Sequence, residues 1–175
     1  GTEIYYAPKL NADIAWARHI DYQWSPRKIR MMLDDIPGLK RQPKSEQSRF
    51  KLSYYIDPEV ADVEEIKRLL HTEEQSVHVQ MAFGQYLDVM PLRASKGLAL
   101  RYVSDHWYIP LERTFVAGGS GADEDMMRGN TLAAVVANRH NEERSQLGEV
   151  GRLYFARMSC AEGSIKGSTY NDFFN

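Results

Sequence analysis

Between Pro91 and Met127 the chain follows an order that few folds accept. PLRASKGLALRYV opens an amphipathic helix on a lysine, and after a short linker TFVAGGSGADEDMM gives an apolar strand running into a Gly-rich, acid-tipped loop. Ala94-Ser95-Lys96-Gly97 puts a cation where the helix begins, beside free N–H groups and the positive end of the helix dipole. Thr114-Phe115-Val116-Ala117 reads as a buried strand, and Gly118-Gly119-Ser120-Gly121 lets the backbone turn sharply after it. Asp123, Glu124 and Asp125 then fall at the strand's carboxyl end, where open α/β sheets place ligands. This order suits a site for a phosphate and a divalent metal. The same residues also read as an ordinary helix start followed by a solvated acidic turn, and on the residues alone both readings stand.

Around this stretch the periodicities divide the chain into two halves. Residues 3–6 read as a short strand. Ser25-Pro26 offers an N-cap with proline at the first helical position, Ile29, Met32, Leu33 and Ile36 make an apolar stripe, and Pro37-Gly38 stops the helix. Strands are expected over 50–56, 77–83 and 86–92, with Gly84-Gln85 as a turn, and a helix over 62–74 with Val63, Ile66, Leu69 and Leu70 inward. That is a small α+β unit. From Lys96 the pattern becomes helix, strand, helix, strand, as in a doubly wound sheet. Leu98, Leu100 and Val103 are expected to face inward, strands to cover 115–117, 132–137 and 153–156, and helices to cover 141–147 and the residues from 161 onward.

Composition narrows the classes. A chain of 175 residues with 43% hydrophobic and 26% charged residues can bury a proper core. A net charge of −2 gives no electrostatic footprint for nucleic acid or an anionic membrane. No apolar run reaches the length of a membrane span, and no signal-peptide pattern is present. The lone Cys160 excludes an internal disulfide and fits a reducing, cytoplasmic compartment.

Several motif-like features carry less. Gly118-x-Ser120-x-Ala122 after a strand imitates a nucleophile elbow with His140 downstream, but the acids Asp123 and Asp125 sit too close to the serine for a triad. GGSGADED lacks the lysine of a nucleotide-binding P-loop. The five histidines show no metal-ligand spacing. Trp16, Trp24 and Trp107 fall where helices would bury them.

PLRASKG followed by VAGGSGADEDMM resembles the last two motifs of the haloacid dehalogenase phosphatases, K-G and then G-D-S-x-N-D. GTEIYY, SEQSRFKLSYYID, YLDVMPLRASKG and the closing YFA, AEGSIKG and YNDFF blocks sharpen the resemblance to the sucrose-phosphate phosphatase-like domains. Such domains occur in sucrose-phosphate phosphatase and at the C-terminus of sucrose-phosphate synthase. The resemblance covers essentially the whole chain. It implies an α/β fold, a partial haloacid-dehalogenase-like doubly wound core with a small α+β cap. Residues 1–92 would be the cap, preceded by a short core-linking strand, and 93–175 the C-terminal half of the core, whose N-terminal part would be absent. It further implies a magnesium cofactor, a sugar-phosphate ligand such as sucrose 6-phosphate, phosphate binding by Lys96 and Ser120, and a metal ligand at Asp123.

Two departures qualify those expectations. The family's D-x-D-x-T nucleophile motif and its second, phosphate-binding motif have no counterpart here, so no catalytic nucleophile is expected among these residues. Where the family writes G-D-S-G-N-D, this chain has Gly118-Gly119-Ser120-Gly121-Ala122-Asp123, so one carboxylate and one amide are missing. Magnesium needs several hard oxygen ligands in octahedral geometry, and their loss weakens the site directly. In the cap, Gln42, Glu46, Gln47, Arg49 and Lys51 cluster in a polar loop. Sugar hydroxyls need both donors and acceptors, and the resemblance implies that this loop faces the sugar, with Gln47 and Lys51 first and Gln42, Glu46 and Arg93 after them. A solvated loop is the alternative. Asp88 and Arg93 flank the return to the core, where substrate contact and a mutual ion pair are both open. Two functional readings follow. One is a sugar-phosphate-binding module of a synthase, with a glycosyltransferase domain in the same chain and impaired or absent catalysis. The other is a magnesium-dependent phosphatase whose catalytic motifs lie upstream.

Overall fold

The computed structural model describes residues 1–119, 121–136 and 153–155. The chain divides into two compact units, Gly1–Ser95 and Lys96–Asn175.

In the first unit, Tyr5–Tyr6 (β1) pairs antiparallel with Asn11–Ala12 (β2). Ile14–Ile20 (α1) follows, with the Asp13 carboxylate accepting the Trp16 N–H at 2.8 Å as its N-cap. Pro26–Leu33 (α2) begins on its proline as expected, although the Ser25 hydroxyl does not cap it. Ile29 and Leu33 of the anticipated stripe are fully buried. Leu39–Arg41 (β3), Leu52–Ile56 (β4), Val77–Ala82 (β5) and Tyr86–Pro91 (β6) form one antiparallel sheet in the order β3-β4-β6-β5. Val63–Thr72 (α3) lies between β4 and β5 in sequence, capped by Asp62, whose carboxylate accepts the Glu64 N–H at 2.9 Å.

Alternation along the strands gives this sheet two different faces. Leu52 pairs with Val89 and Tyr54 with Leu87, and all four are buried, as are Ile56, Ile66 and Leu70. The intervening rows are Gln80, Asp88 and Ser53, then Ala82, Tyr86 and Tyr55. They stand on the opposite side and carry the polar and aromatic groups.

The second unit starts with Lys96–His106 (α4) and continues through Phe115–Gly118 (β7), Gly121–Met127 (α5), Leu132–Val135 (β8) and Leu153–Phe155 (β9). The three strands are parallel in the order β7-β8-β9. Val116, Met127, Ala133 and Val135 form a buried cluster, with Leu100 and Met126 packed on it. Two expectations are corrected here. Leu98 is 41% exposed, because a residue two positions from Leu100 points to another side of a helix with 3.6 residues per turn. Trp107 is 54% exposed, since α4 has ended one residue before it; Trp16 and Trp24 are buried as expected. The helices expected at 141–147 and from 161, together with Ser120, His140 and Cys160, lie outside the described residues.

Candidate phosphate site

The second unit brings the start of α4 and the loop after β7 together. Lys96 Nζ forms an ion pair with the Asp123 carboxylate at Oδ1. The other oxygen of Asp123 accepts the Gly119 N–H at 2.9 Å, so this carboxylate is held from two sides. Exposure differs sharply across the pair: the Lys96 side chain is 48% exposed and that of Asp123 only 13%. The lysine keeps a solvent-facing charge while its partner is sequestered.

Two glycines permit this approach. A Cβ on Gly118 would stand 2.6 Å from Cβ of Asp123, and one on Gly97 would stand 2.6 Å from the carbonyl carbon of Asp125. Neither distance leaves room for a methyl group, so the loop after β7 and the first turn of α4 can close only on bare backbone. Asp125 completes the junction by accepting the Gly97 N–H at 3.0 Å. Arg101 then clamps the far end of α5, donating to the carbonyl of Asp125 at 3.4 Å and to that of Arg128 at 3.1 Å. Glu124 faces Arg128 at 3.9 Å, one turn along the helix.

The fit of these residues to a divalent cation follows from those partners. Magnesium takes six oxygens near 2.0–2.1 Å and is held through carboxylates that converge on it. Here the three acids turn to three different partners: Asp123 to Lys96, Glu124 to Arg128 and Asp125 to the Gly97 amide. No group of three or more His, Cys, Asp or Glu side chains among the described residues is arranged to hold a metal. Among the described residues, these acids do not by themselves make a magnesium cradle.

In the first unit the sugar-directed expectations meet a mixed outcome. The Gln47 amide is engaged with backbone, donating to the Gln42 and Ser53 carbonyls at 3.1 and 2.7 Å and accepting the Ser53 N–H at 3.1 Å. Gln42 donates from its side chain to the Tyr54 carbonyl at 2.9 Å. Both glutamines therefore pin the loop to β4. Glu46 is exposed and Lys51 half-buried. Asp88 and Arg93 do not form the ion pair left open by the sequence. Asp88 accepts the Ser53 hydroxyl at 2.6 Å, and the Arg93 guanidinium lies 4.2 Å from the centre of the Tyr22 ring. Arg49 pairs with Asp21 at 2.7 Å.

Sequence reasoning missed the polar–aromatic face beside these residues. Tyr55 and Tyr86 stand with ring centres 5.9 Å apart, and Phe83 meets Tyr86 edge-on at 6.3 Å. The alternation within YLDVMP and LSYYI contained this signal, because the strand that buries Leu87 and Val89 must turn Tyr86 and Asp88 the other way. On the buried face, the Tyr54 hydroxyl donates to Asp34 at 3.3 Å. Burial, followed by the Asp34 charge, pushes it up from 10.0 to about 12.

A parallel sheet bearing a lysine-headed helix and a Gly-rich loop at a strand's carboxyl end, joined to an antiparallel cap, defines a haloacid-dehalogenase-like fold. A haloacid dehalogenase-like hydrolase of Bacillus subtilis shares it at a TM-score of 0.54 and 18% identity, over 99% of this chain and 67% of that one. The sequence model of sucrose-6F-phosphate phosphohydrolase matches residues 1–172, and the chain belongs to that family. The sucrose-phosphatase of Synechocystis sp. PCC6803, solved in complex with sucrose and phosphate, superposes with a TM-score of 0.87 at 27% identity, covering 100% of this chain and 72% of its own. Among curated relatives, a probable sucrose-phosphatase 3a of Arabidopsis thaliana is 28% identical over 95% of this chain and 42% of its own length. A mannosylfructose-phosphate phosphatase of Agrobacterium fabrum is 25% identical over 95% of this chain and 68% of its own. The chain thus spans less than half of the plant relative. Among the described residues no helix is long and apolar enough to cross a membrane.

Proposed function

We propose that this chain is part of a sugar-phosphate phosphatase acting on a phosphorylated disaccharide, with sucrose 6-phosphate as the first candidate. The observation that carries it is the half-exposed Lys96, set at the start of α4 with its back to Asp123. A phosphate there would meet the exposed side of the Lys96 ammonium, in competition with Asp123 for its charge. Ser120, which follows β7 in the sequence, is the second phosphate ligand that the family resemblance suggests. The relatives named above are phosphatases, which favours this reading over a domain of a sucrose-phosphate synthase.

The first unit supplies groups suited to sugar recognition. Asp88 and Gln80 stand in one row beside the Tyr55 and Tyr86 rings, with the buried Ser53 hydroxyl donating to Asp88 at 2.6 Å, and carbohydrates are bound by such a combination of polar groups and aromatic faces. Lys51, Glu46 and Arg93 extend the set, while Gln47 and Gln42 act by fixing the loop that carries them. The family's D-x-D-x-T nucleophile motif has no counterpart in these residues, so on this reading hydrolysis would draw its attacking group, and further magnesium ligands, from beyond them. A cytoplasmic setting agrees with the single Cys160.

Phosphate release from sucrose 6-phosphate, a mannosylfructose phosphate and glucose 6-phosphate by the full-length protein tests this proposal. Preference for a disaccharide phosphate is expected. Release that is equal for glucose 6-phosphate would contradict the disaccharide assignment, and no release or binding with any of the three would overturn the function.

A further inference from the structure

The geometry points to Asp123 as the internal counter-ion of Lys96, in a loop that contributes no carboxylate to a divalent cation. It concerns the same lysine on which the proposed function rests. The family's loop pattern has an acid at the position of Gly119 and an amide at that of Ala122; here the first offers only its backbone N–H, and that N–H is spent on Asp123 Oδ2 at 2.9 Å. The remaining oxygen of Asp123 lies on Lys96 Nζ, and the carboxylate is seated so tightly on the backbone that Gly118 has no room for a Cβ. An acid held in this way cannot swing outward to meet a cation without breaking an ion pair and a charge-assisted hydrogen bond, each of which is stronger than its neutral counterpart. Glu124 and Asp125 have other neighbours: Glu124 lies 3.9 Å from Arg128, and Asp125 accepts the Gly97 N–H at 3.0 Å. Gly119 is therefore the residue that decides the role of Asp123. With a carboxylate at 119, two acids would stand four positions apart around one loop, and a cation between them could compete with the lysine for Asp123.

Mn2+ binding, followed by loss of the free-ion paramagnetic resonance signal and measured without any sugar phosphate, separates the two roles. Asp123→Asn is expected to leave Mn2+ affinity unchanged, and Gly119→Asp to raise it at least about tenfold, the scale on which groups around a metal act. A fall of about tenfold in Asp123→Asn, or no gain in a folded Gly119→Asp protein, would overturn the assignment. Inorganic phosphate gives a second readout. Removing a counter-ion should tighten phosphate binding in Asp123→Asn and leave it insensitive to EDTA, whereas removing a cation ligand should weaken it. Because the Mn2+ titration uses no phosphate, its result stands whether or not the sugar-phosphate reading holds.

Discussion

Asp125 accepts the Gly97 N–H at 3.0 Å, and this bond ties the acid-tipped segment to the first turn of the lysine helix beside the Lys96–Asp123 ion pair. It requires residue 97 to lack a side chain, because a Cβ there would lie 2.6 Å from the Asp125 carbonyl carbon. Gly97→Ala should therefore destabilise the second unit by about 1–3 kcal/mol, the usual cost of forcing atoms into a packed junction. Urea denaturation with tryptophan and circular-dichroism readouts checks this. A loss below about 0.5 kcal/mol, typical of an unconstrained surface site, would contradict the close approach.

Tyr54 makes a pH prediction. Its hydroxyl is raised from 10.0 to about 12 by burial and by Asp34, so the folded protein favours the neutral form more than the unfolded chain does. The contribution is complete below pH 10 and is lost as pH climbs through the folded value near 12. Thermal melts across pH 9–12 should fall more steeply for the wild type than for Tyr54→Phe, which itself should cost about 0.5–1.5 kcal/mol at neutral pH for the lost hydrogen bond. Parallel curves for the two proteins would refute the assignment.

The Ser53–Asp88 contact predicts a split between affinity and stability. Asp88→Asn keeps an acceptor for the Ser53 hydroxyl at nearly the same shape, so the melting temperature should hardly move. A carboxylate accepting sugar hydroxyls binds more strongly than an amide, so affinity for the disaccharide portion should drop several-fold, by about 1 kcal/mol. Sugar affinity unchanged beside a large stability loss would assign Asp88 to the fold alone.

Which parts of this molecule its sequence revealed depends on how strongly each element is specified locally. The helix over Val63–Thr72 and the β5–β6 hairpin were legible because capping, apolar spacing and turn residues agree there. The short β3 was not, since Leu39-Lys40-Arg41 has no pattern of its own and becomes a strand only by pairing with Tyr54, Tyr55 and Ile56. A helix was expected around Trp16, but the bounds of α1 were not legible for a similar reason: seven residues are too few to show a clear period, and its start depends on the Asp13 cap. At the site, the spacing of Lys96 and Asp123 announced that both belonged to one place. It could not show that they pair with each other, because they stand 27 positions apart in the chain and the closed backbone at Gly97 and Gly118 sets their distance. Gln47 shows the opposite limit: its residue type suits sugar, yet three backbone bonds already claim its amide.

The central claim is that Lys96 holds the phosphate of a phosphorylated disaccharide. Calorimetric titration of sucrose 6-phosphate into the wild-type protein and into Lys96→Ala tests it most directly, with sucrose as the unphosphorylated control. Loss of an ionic hydrogen bond to phosphate should cost about 1.5–3 kcal/mol, at least a tenfold rise in Kd, while affinity for sucrose stays the same. Equal affinity of the two proteins for sucrose 6-phosphate would contradict the account.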